Sequence, residues 1–369
     1  MSNPQLLALL VSGLIAIGLG QLATSLAKPR TRPSKLGGMV VFVAVVGGLV
    51  TAALLTEGSR GIELDGTTPL VALLLGPYLM GLHDDYTDSS PRLRLALLLL
   101  FASVAWSLGI RIDSVALPGI DAIQLESLSL PATILWIVGM TVAFNFIDGL
   151  DGLASGLGLT ACAALCAMSA EGPGMWATAS LAGALSGILL YNRPEATVVL
   201  GNSGSNLLGF ALGIATLLCC TSSPGTFDLV PAVLVATVPI LDAGLTLLRR
   251  AYLGQGLFRS DLGHLHHRLL SRGLQVQQAL FVLLGAAAMS GFGAVIVAAT
   301  TRLLQHNATS AMLQPHVLSS TGLLLATMSV AWVLRVTGWL RWAPLSELAT
   351  GPTSRASDLG STQDAARPG

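Results

Sequence analysis

The chain has 369 residues, 53% of them apolar and 10% charged, and its 19 Lys and Arg balance 19 Asp and Glu. A soluble domain carries about a quarter charged residues, so a surface covered by water-loving side chains is excluded; the zero net charge likewise argues against a basic nucleic-acid binder and an acidic disordered chain. Four cysteines without a C-x-x-C spacing exclude a zinc ribbon, a thioredoxin-like pair and a disulfide scaffold, which leaves one bundle in a membrane.

Crossing about 30 Å of hydrocarbon takes roughly 20 mostly apolar residues. Eleven stretches qualify, at about 4–27, 38–56, 67–83, 93–110, 131–147, 152–170, 174–191, 205–220, 227–248, 278–301 and 316–337. The first is too long for a signal-peptide core and has no basic residue before it, so it reads as an uncleaved first helix. With the N-terminus outside, the inner loops hold every Lys and Arg except Arg60, Arg111 and Arg302. This positive-inside bias predicts an N-out, C-in all-α polytopic membrane protein of about eleven transmembrane helices. Between Arg111 and Leu130, polar and apolar residues alternate around Pro118-Gly119, which predicts a small outer β-hairpin within 111–130. Residues 344–369 are rich in Ser, Thr, Gly, Pro and Asp and are expected to form a disordered cytoplasmic tail, so that 1–343 is the single bundle.

Ionisable groups at membrane depth cost several kcal/mol unless paired or facing water, which singles out the polar runs at the inner ends of the spans. Lys35-Leu36-Gly37-Gly38 follows Lys28, Arg30 and Arg32, and attraction to anionic headgroups accounts for these charges without any substrate. The third span closes on His83-Asp84-Asp85, followed by Tyr86-Thr87-Asp88. Carboxylates that close need a cation to be tolerated; the plainer reading is a polar helix end with Asp88 or Ser90 capping the next helix. The next inner loop, Asn145-Phe146-Ile147-Asp148-Gly149-Leu150-Asp151-Gly152, carries no basic residue. Its glycines allow a ligand close to the backbone, and while one Asp-Gly is turn punctuation, this repeat between two spans is more specific.

Gly201-Asn202-Ser203-Gly204-Ser205 precedes the eighth span. It offers backbone N–H groups and a helix N-terminus as an anion seat, or equally a flexible connector ending in a Ser cap. Asp242 lies within the ninth span about two turns before Arg249-Arg250, too far for an i,i+4 pair, and so requires another partner, for which a structural hydrogen bond between helices would suffice. The loop beyond ends Asp261-Leu262-Gly263-His264-Leu265-His266-His267-Arg268. Three His and an Arg in five positions suit zinc or an anionic substrate; without a thiolate nearby, phosphate contacts are favoured, with a basic surface helix as the bland alternative. Cys162, Cys166, Cys219 and Cys220 read as packing filler in apolar spans.

All of these groups fall on the inner face. Carboxylates, amides, glycine loops and His/Arg at a membrane surface are what a magnesium-dependent phosphoryl transfer requires. Mg²⁺ takes one or two carboxylates plus phosphates and waters, and neutralising a diphosphate lets an anionic phosphate approach it.

In order along about residues 30 to 270 run Lys35-x-Gly-Gly, His83-Asp84-Asp85, Asn145-x-x-Asp148-Gly-x-Asp151-Gly-Leu-Ala, Gly201-x-x-Gly204-Ser205, Pro239-x-x-Asp242 and His264-x-His266-His267-Arg268. On these motifs the chain resembles the polyprenyl-phosphate N-acetylhexosamine-1-phosphate transferase family. Eleven spans and the His-Leu-His-His-Arg run suit its undecaprenyl-phosphate GlcNAc-1-phosphate transferase branch, related to phospho-N-acetylmuramoyl-pentapeptide transferase. The resemblance implies that undecaprenyl phosphate attacks the β-phosphate of a UDP-N-acetylhexosamine, giving a lipid diphosphate sugar and UMP at the cytoplasmic face of a bacterial inner membrane. It implies catalytic roles for Asp84, Asp85 and Asp148, and a Mg²⁺ site, with Mn²⁺ as a substitute, at Asp85 and Asn202. Lys35, Asn145, Gly149, Asp151, Asp242, His264, His266, His267 and Arg268 would then bind substrate, with Asp151 on the uracil and the His-Arg run on pyrophosphate or sugar. The partners implied are the polyprenyl phosphate, the UDP-sugar and the bilayer; no nucleic acid is expected, and a homodimer is left open. Two departures stand out. Asn202 occupies the Asp position of the family's Gly-Asp-x-Gly-Ser, and Leu262 the Arg position after the Asp of the His loop. Asn202 motivates the alternative of a catalytically degenerate relative acting as a lipid-linked-sugar binder or transporter.

Overall fold

A computed structural model describes residues 4–26, 33–57, 67–87, 89–118, 120–169, 172–256, 263–306 and 314–339, apart from the side chains of 304–318. Lys28, Arg30, Arg32, Asp88, Asp261, Leu262 and the expected tail at 344–369 lie outside the described residues. Each of the eleven apolar stretches falls on a helix or helix pair. In chain order these are α1 (Pro4–Leu26), α2 (Gly37–Glu57), α3 (Thr67–Thr87), α4 (Pro91–Ser107), α5 (Ser129–Ile147), α6 (Leu153–Met168), α7 (Pro173–Asn192), α8 (Gly201–Cys219), the pair α9 (Leu229–Val235) and α10 (Thr237–Tyr252), then, after a short α11 (Leu265–Ser271), α12 (Val276–His306) and α13 (Gln314–Val336). Helices are the expected solution, because in hydrocarbon a backbone N–H has no partner outside its own helix.

By length and composition seven described helices can cross a membrane, or eight if α9 and α10 are one span. The chain is thus a multi-pass membrane protein. Among the remaining helices, α4 has 17 residues and α6 has 16, and α3 carries His83, Asp84 and Asp85 in its last turn. Helix α8 runs through the centre, buried along nearly its whole length, with α2, α3, α5, α6 and α7 packed around it.

One expectation needs correction. The ninth stretch is not one straight helix, since α9 and α10 meet at 86°. Ala236 leaves helical geometry there (φ −111°, ψ 24°), and Pro239 sits in the first turn of α10, where its missing N–H costs no hydrogen bond. Beyond the bend the helix is inside-out. Asp242, Thr246, Arg249 and Arg250 are buried, while Leu247, Leu248 and Tyr252 are exposed. Lipid around the helix and a polar interior reverse the usual amphipathic pattern.

The expected hairpin is present and belongs to a larger sheet. β1 (Ser114–Leu117) and β2 (Ile120–Gln124) do pair antiparallel within 111–130. They form half of a four-stranded sheet, ordered β2-β1-β4-β3, whose other half is a second hairpin of β3 (Thr221–Ser223) and β4 (Thr226–Asp228). Three-residue strands around Pro224-Gly225 carry too little alternation to be read from sequence. The parallel β1–β4 pairing and the Asp113 and Ser114 N–H bonds to the Gly225 carbonyl join the α4–α5 and α8–α9 connections. This sheet closes one end of the bundle. The candidate site lies at the other end of α5, whose 19 residues span about 28 Å.

Candidate functional site

Two chain segments, the start of α2 and the end of α3, converge on the start of α8. Gly37 and Gly38 donate their N–H groups to the carbonyls of Val199 and Leu200 at 3.1 Å, laying the start of α2 against the approach to α8. The end of α3 crosses the first turn of α8 so closely that a Cβ at Gly81 would sit 2.3 Å from the Asn202 carbonyl oxygen. Only a glycine tolerates that approach, and it delivers Asp85. The Asp85 carboxylate accepts the N–H of Asn202 at 2.8 Å and of Ser203 at 3.0 Å. It therefore caps α8 from another helix, satisfying donors that the helix itself leaves open. Gly201-Asn202-Ser203-Gly204-Ser205 is accordingly the first turn of a helix and not a connector, and its anion seat holds the protein's own carboxylate.

Asp84 goes elsewhere. Successive helical residues point about 100° apart, and Asp84 is buried on the side of the α3–α4 turn. There it accepts from Ser89 N at 3.0 Å and Ser89 Oγ at 2.7 Å, and from Arg94 Nη1 at 2.6 Å. The following residue, Ser90, caps α4 by accepting from Leu93 N.

Beside the Asp85 cap opens a cavity of about 310 Å³ lined by Lys35, Asp85, Asn145, Asp148, Gly149, Asp151 and Asn202, with Asn192 and Ser205. Asn145 Nδ2 donates to Asn202 Oδ1 at 3.3 Å and to Ser205 Oγ at 3.0 Å. Asp151 accepts from Ala196 N at 3.1 Å and so holds the α7–α8 connection. Asp148 caps the end of α5 and accepts no hydrogen bond among the described residues. Burial, then the charges of Asp151 and Asp85, push its carboxyl up to about 7. Among the described residues lining this cavity, three acids thus share one ammonium, that of Lys35.

A second group adjoins the first. Asp242, buried on α10, accepts from Leu265 N at 2.6 Å and from His264 Nδ1 at 2.8 Å. A carboxylate only accepts, so Nδ1 carries the hydrogen and Nε2 is the nitrogen left for a ligand. His266 stacks 5.7 Å from His264 with planes 7° apart and lies 4.2 Å from the His267 ring. Burial, then the neighbouring His267, lowers His266 to about 4, so it is neutral near pH 7, and among the described residues neither ring nitrogen has a partner. Arg249 Nη1 and Arg268 Nε donate to the Gly263 carbonyl at 2.6 and 3.3 Å, and the Arg250 guanidinium lies over Phe146 at 5.1 Å. The two groups adjoin at Gly149, where a Cβ would come within 2.3 Å of His266 Nε2, and at Phe146, whose ring lies 5.6 Å from that of His264.

The structure therefore gathers Lys35, Asp85, Asn145, Asp148, Gly149, Asp151 and Asn202 in one cavity, and sets Asp242, His264, His266, His267 and Arg268 in the adjoining cluster. Asp84 lies apart from both. Sequence reasoning passed over Asn192, read Ser205 only as part of the glycine motif or a helix cap, and counted Arg249 and Arg250 only as leaflet charges. The clue for Asn192 was an amide closing the otherwise apolar α7. For the arginines it was their place on the same helix as Asp242.

The donor chemistry fits Mg²⁺. Among the described residues no three His, Cys, Asp or Glu form a ready-made cage, but Mg²⁺ characteristically needs one or two carboxylates and completes its shell with phosphate and water. Asp148, without a partner and crowded by like charge, and Asp85 with the Asn202 amide oxygen, would supply the protein's share.

Residues 67–220 match the model of glycosyl transferase family 4, a stretch that holds the acidic cavity apart from Lys35. The chain is 30% identical over 275 residues to a Bacillus subtilis protein named "Probable undecaprenyl-phosphate N-acetylglucosaminyl 1-phosphate transferase", covering 72% of this chain and 74% of that one. It is 32% identical over 295 residues, 72% of each chain, to the decaprenyl-phosphate N-acetylglucosaminephosphotransferase of Mycobacterium tuberculosis. A phospho-N-acetylmuramoyl-pentapeptide-transferase of Heliobacterium modesticaldum is 30% identical over 287 residues, 72% of this chain and 84% of the relative.

Proposed function

The chain belongs to glycosyl transferase family 4 and is an enzyme transferring a sugar-1-phosphate to a polyprenyl phosphate; on that premise we propose that it moves N-acetylhexosamine-1-phosphate, most simply GlcNAc-1-phosphate, from a UDP-sugar to undecaprenyl phosphate. The reaction releases UMP at the cytoplasmic face of a bacterial plasma membrane and begins a cell-envelope glycan. The observation that carries this reading is the contact of an acidic cavity with a His/Arg cluster, across Gly149 and His266, at one end of a membrane bundle. A cation half and an anion half side by side suit a metal-bound diphosphate.

Bound Mg²⁺ would neutralise the diphosphate and the approaching phosphate, held by Asp85 and Asp148 with the Asn202 amide oxygen. Asp85 is fixed for that task by its two backbone bonds to α8. Asn145 and Asp151 line the nucleotide-sugar side. His264 offers Nε2 to the pyrophosphate with its ring locked by Asp242, and Arg268 adds charge beside it. An oxygen of the polyprenyl phosphate then bonds to the β-phosphorus as its bond to the α-phosphate oxygen breaks. A phosphate ionised near pH 7 needs no general base for this step, which agrees with the engagement of Asp84 by Arg94 and Ser89.

Purified protein given undecaprenyl phosphate, Mg²⁺ and UDP-GlcNAc should release UMP, and the same assay with other UDP-N-acetylhexosamines ranks the donors. Absence of turnover with every donor, alongside rescue by Asn202→Asp, would favour the degenerate-site alternative that Asn202 motivates.

A further inference from the structure

The end of α13 reaches the cluster from outside the family-matched region. Gly338 takes φ +77°, a left-handed turn that ends the helix and favours glycine. It sends the next residue, Trp339, back toward α11. Arg272 of that segment donates Nη1 to the Val336 carbonyl at 3.0 Å, closing the last turn of α13. The Trp339 ring then lies under the Arg268 guanidinium, 4.2 Å from ring centroid to guanidinium carbon. Arg268 is also tied to the His264 turn, its Nε donating to the Gly263 carbonyl at 3.3 Å. Among the described residues the buried Trp339 indole N–H has no partner, and the contact this indole makes with Arg268 is through its ring face.

We propose that Trp339 is a positioning residue that holds Arg268 in register for the diphosphate of the donor. The proposal rests on the reading that Arg268 contacts that diphosphate. Arg is a long side chain with much rotamer freedom to lose on binding, and the bond from Nε to the Gly263 carbonyl is long at 3.3 Å. A stacked aromatic face removes that freedom before the ligand arrives. The cost of losing the ring should therefore appear in donor affinity and not in the chemical step.

The test measures KM and kcat for UDP-GlcNAc with the full-length protein in detergent, together with its thermal unfolding. Trp339→Leu keeps an apolar side chain and removes the ring face. It should raise the donor KM about 2- to 30-fold at nearly constant kcat, with the KM for undecaprenyl phosphate unchanged. Trp339→Phe should restore the wild-type value. Arg268→Ala should raise the donor KM at least as much, and Trp339→Leu should add nothing in that background. If Arg268→Ala leaves the donor KM unchanged, the diphosphate reading fails, whatever Trp339 does. If Arg268→Ala raises it while Trp339→Leu does not, or raises it equally with Arg268 absent, the positioning role fails. A Trp339→Leu variant that loses kcat and melting temperature together, unrescued by Phe, also overturns it.

Discussion

Replacing Asp148 by Asn should stabilise the protein while silencing its site. Burial and two neighbouring carboxylates raise this carboxyl from 3.8 to about 7. At 1.36 kcal/mol per pKa unit, keeping it ionised well above pH 7 costs the folded state about 4 kcal/mol, an upper figure because the cavity is open to water. A carboxyl whose pKa is raised by folding favours the folded state fully below pH 4, and that contribution is lost as pH rises through 7. The unfolding temperature of the Asp148→Asn variant should therefore exceed that of the wild type, and the gap should widen from pH 5 to pH 8 by about 2 to 3 kcal/mol, or roughly 3 to 6 °C. Mg²⁺ at pH 8 should close most of the gap by raising the wild type alone, since the ion supplies the missing positive charge. UMP release should be lost in the variant at every pH. A gap that stays constant between pH 5 and pH 8, or Mg²⁺ raising both proteins equally, would refute both the crowding of like charge and the placement of the metal.

Asn202→Asp keeps the acceptor that Asn145 uses and adds a charge to the cavity, so half-maximal turnover should need several-fold less Mg²⁺; an unchanged Mg²⁺ titration would remove residue 202 from the metal site. Gly149→Ala drives a Cβ into the buried His266 ring and should cut kcat/KM more than tenfold, with partial recovery in the Gly149→Ala, His266→Ala double variant. Asp242→Asn still accepts from Leu265 N but can present an N–H to His264 Nδ1, moving the ring proton to Nε2. Nitrogen-15 spectra of labelled histidine should show that tautomer change together with a loss of roughly ten- to hundredfold in kcat/KM, and an unaltered spectrum would break the Asp242–His264 assignment.

Much of the architecture was legible because hydrocarbon imposes one rule on every span: apolar side chains outside and backbone bonds inside. That rule says nothing about where a span breaks. The turn at Ala236 depends on local dihedrals, and the clue lay in α10, where the polar positions share one face and the leucines another. Polar clustering located the candidate site, yet it could not separate Asp84 from Asp85. Two identical neighbours part company through helix phase, one toward Arg94 and the other toward α8. The anion seat at Gly201–Ser205 was legible as chemistry, but its occupant comes from 117 residues away. Nothing in the sequence singles out Trp339, because its contact with Arg268 joins residues 71 positions apart.

The split between the two aspartates also orders events in time. The partners of Asp84 lie 5 and 10 residues ahead of it, so this carboxylate can be satisfied as soon as α4 follows α3 into the membrane. Asp85 must wait for donors 117 and 118 residues downstream. At ribosomal speeds of about 5 to 20 residues per second, roughly 6 to 25 seconds pass before they exist. During that interval the end of α3 has to stay wet, and the growing chain carries a finished hairpin beside a half-built site. Docking of the first turn of α8 is then the step that turns a row of inserted helices into a cavity, and a ribosome stalled before Asn202 would leave a membrane-embedded chain without that cavity.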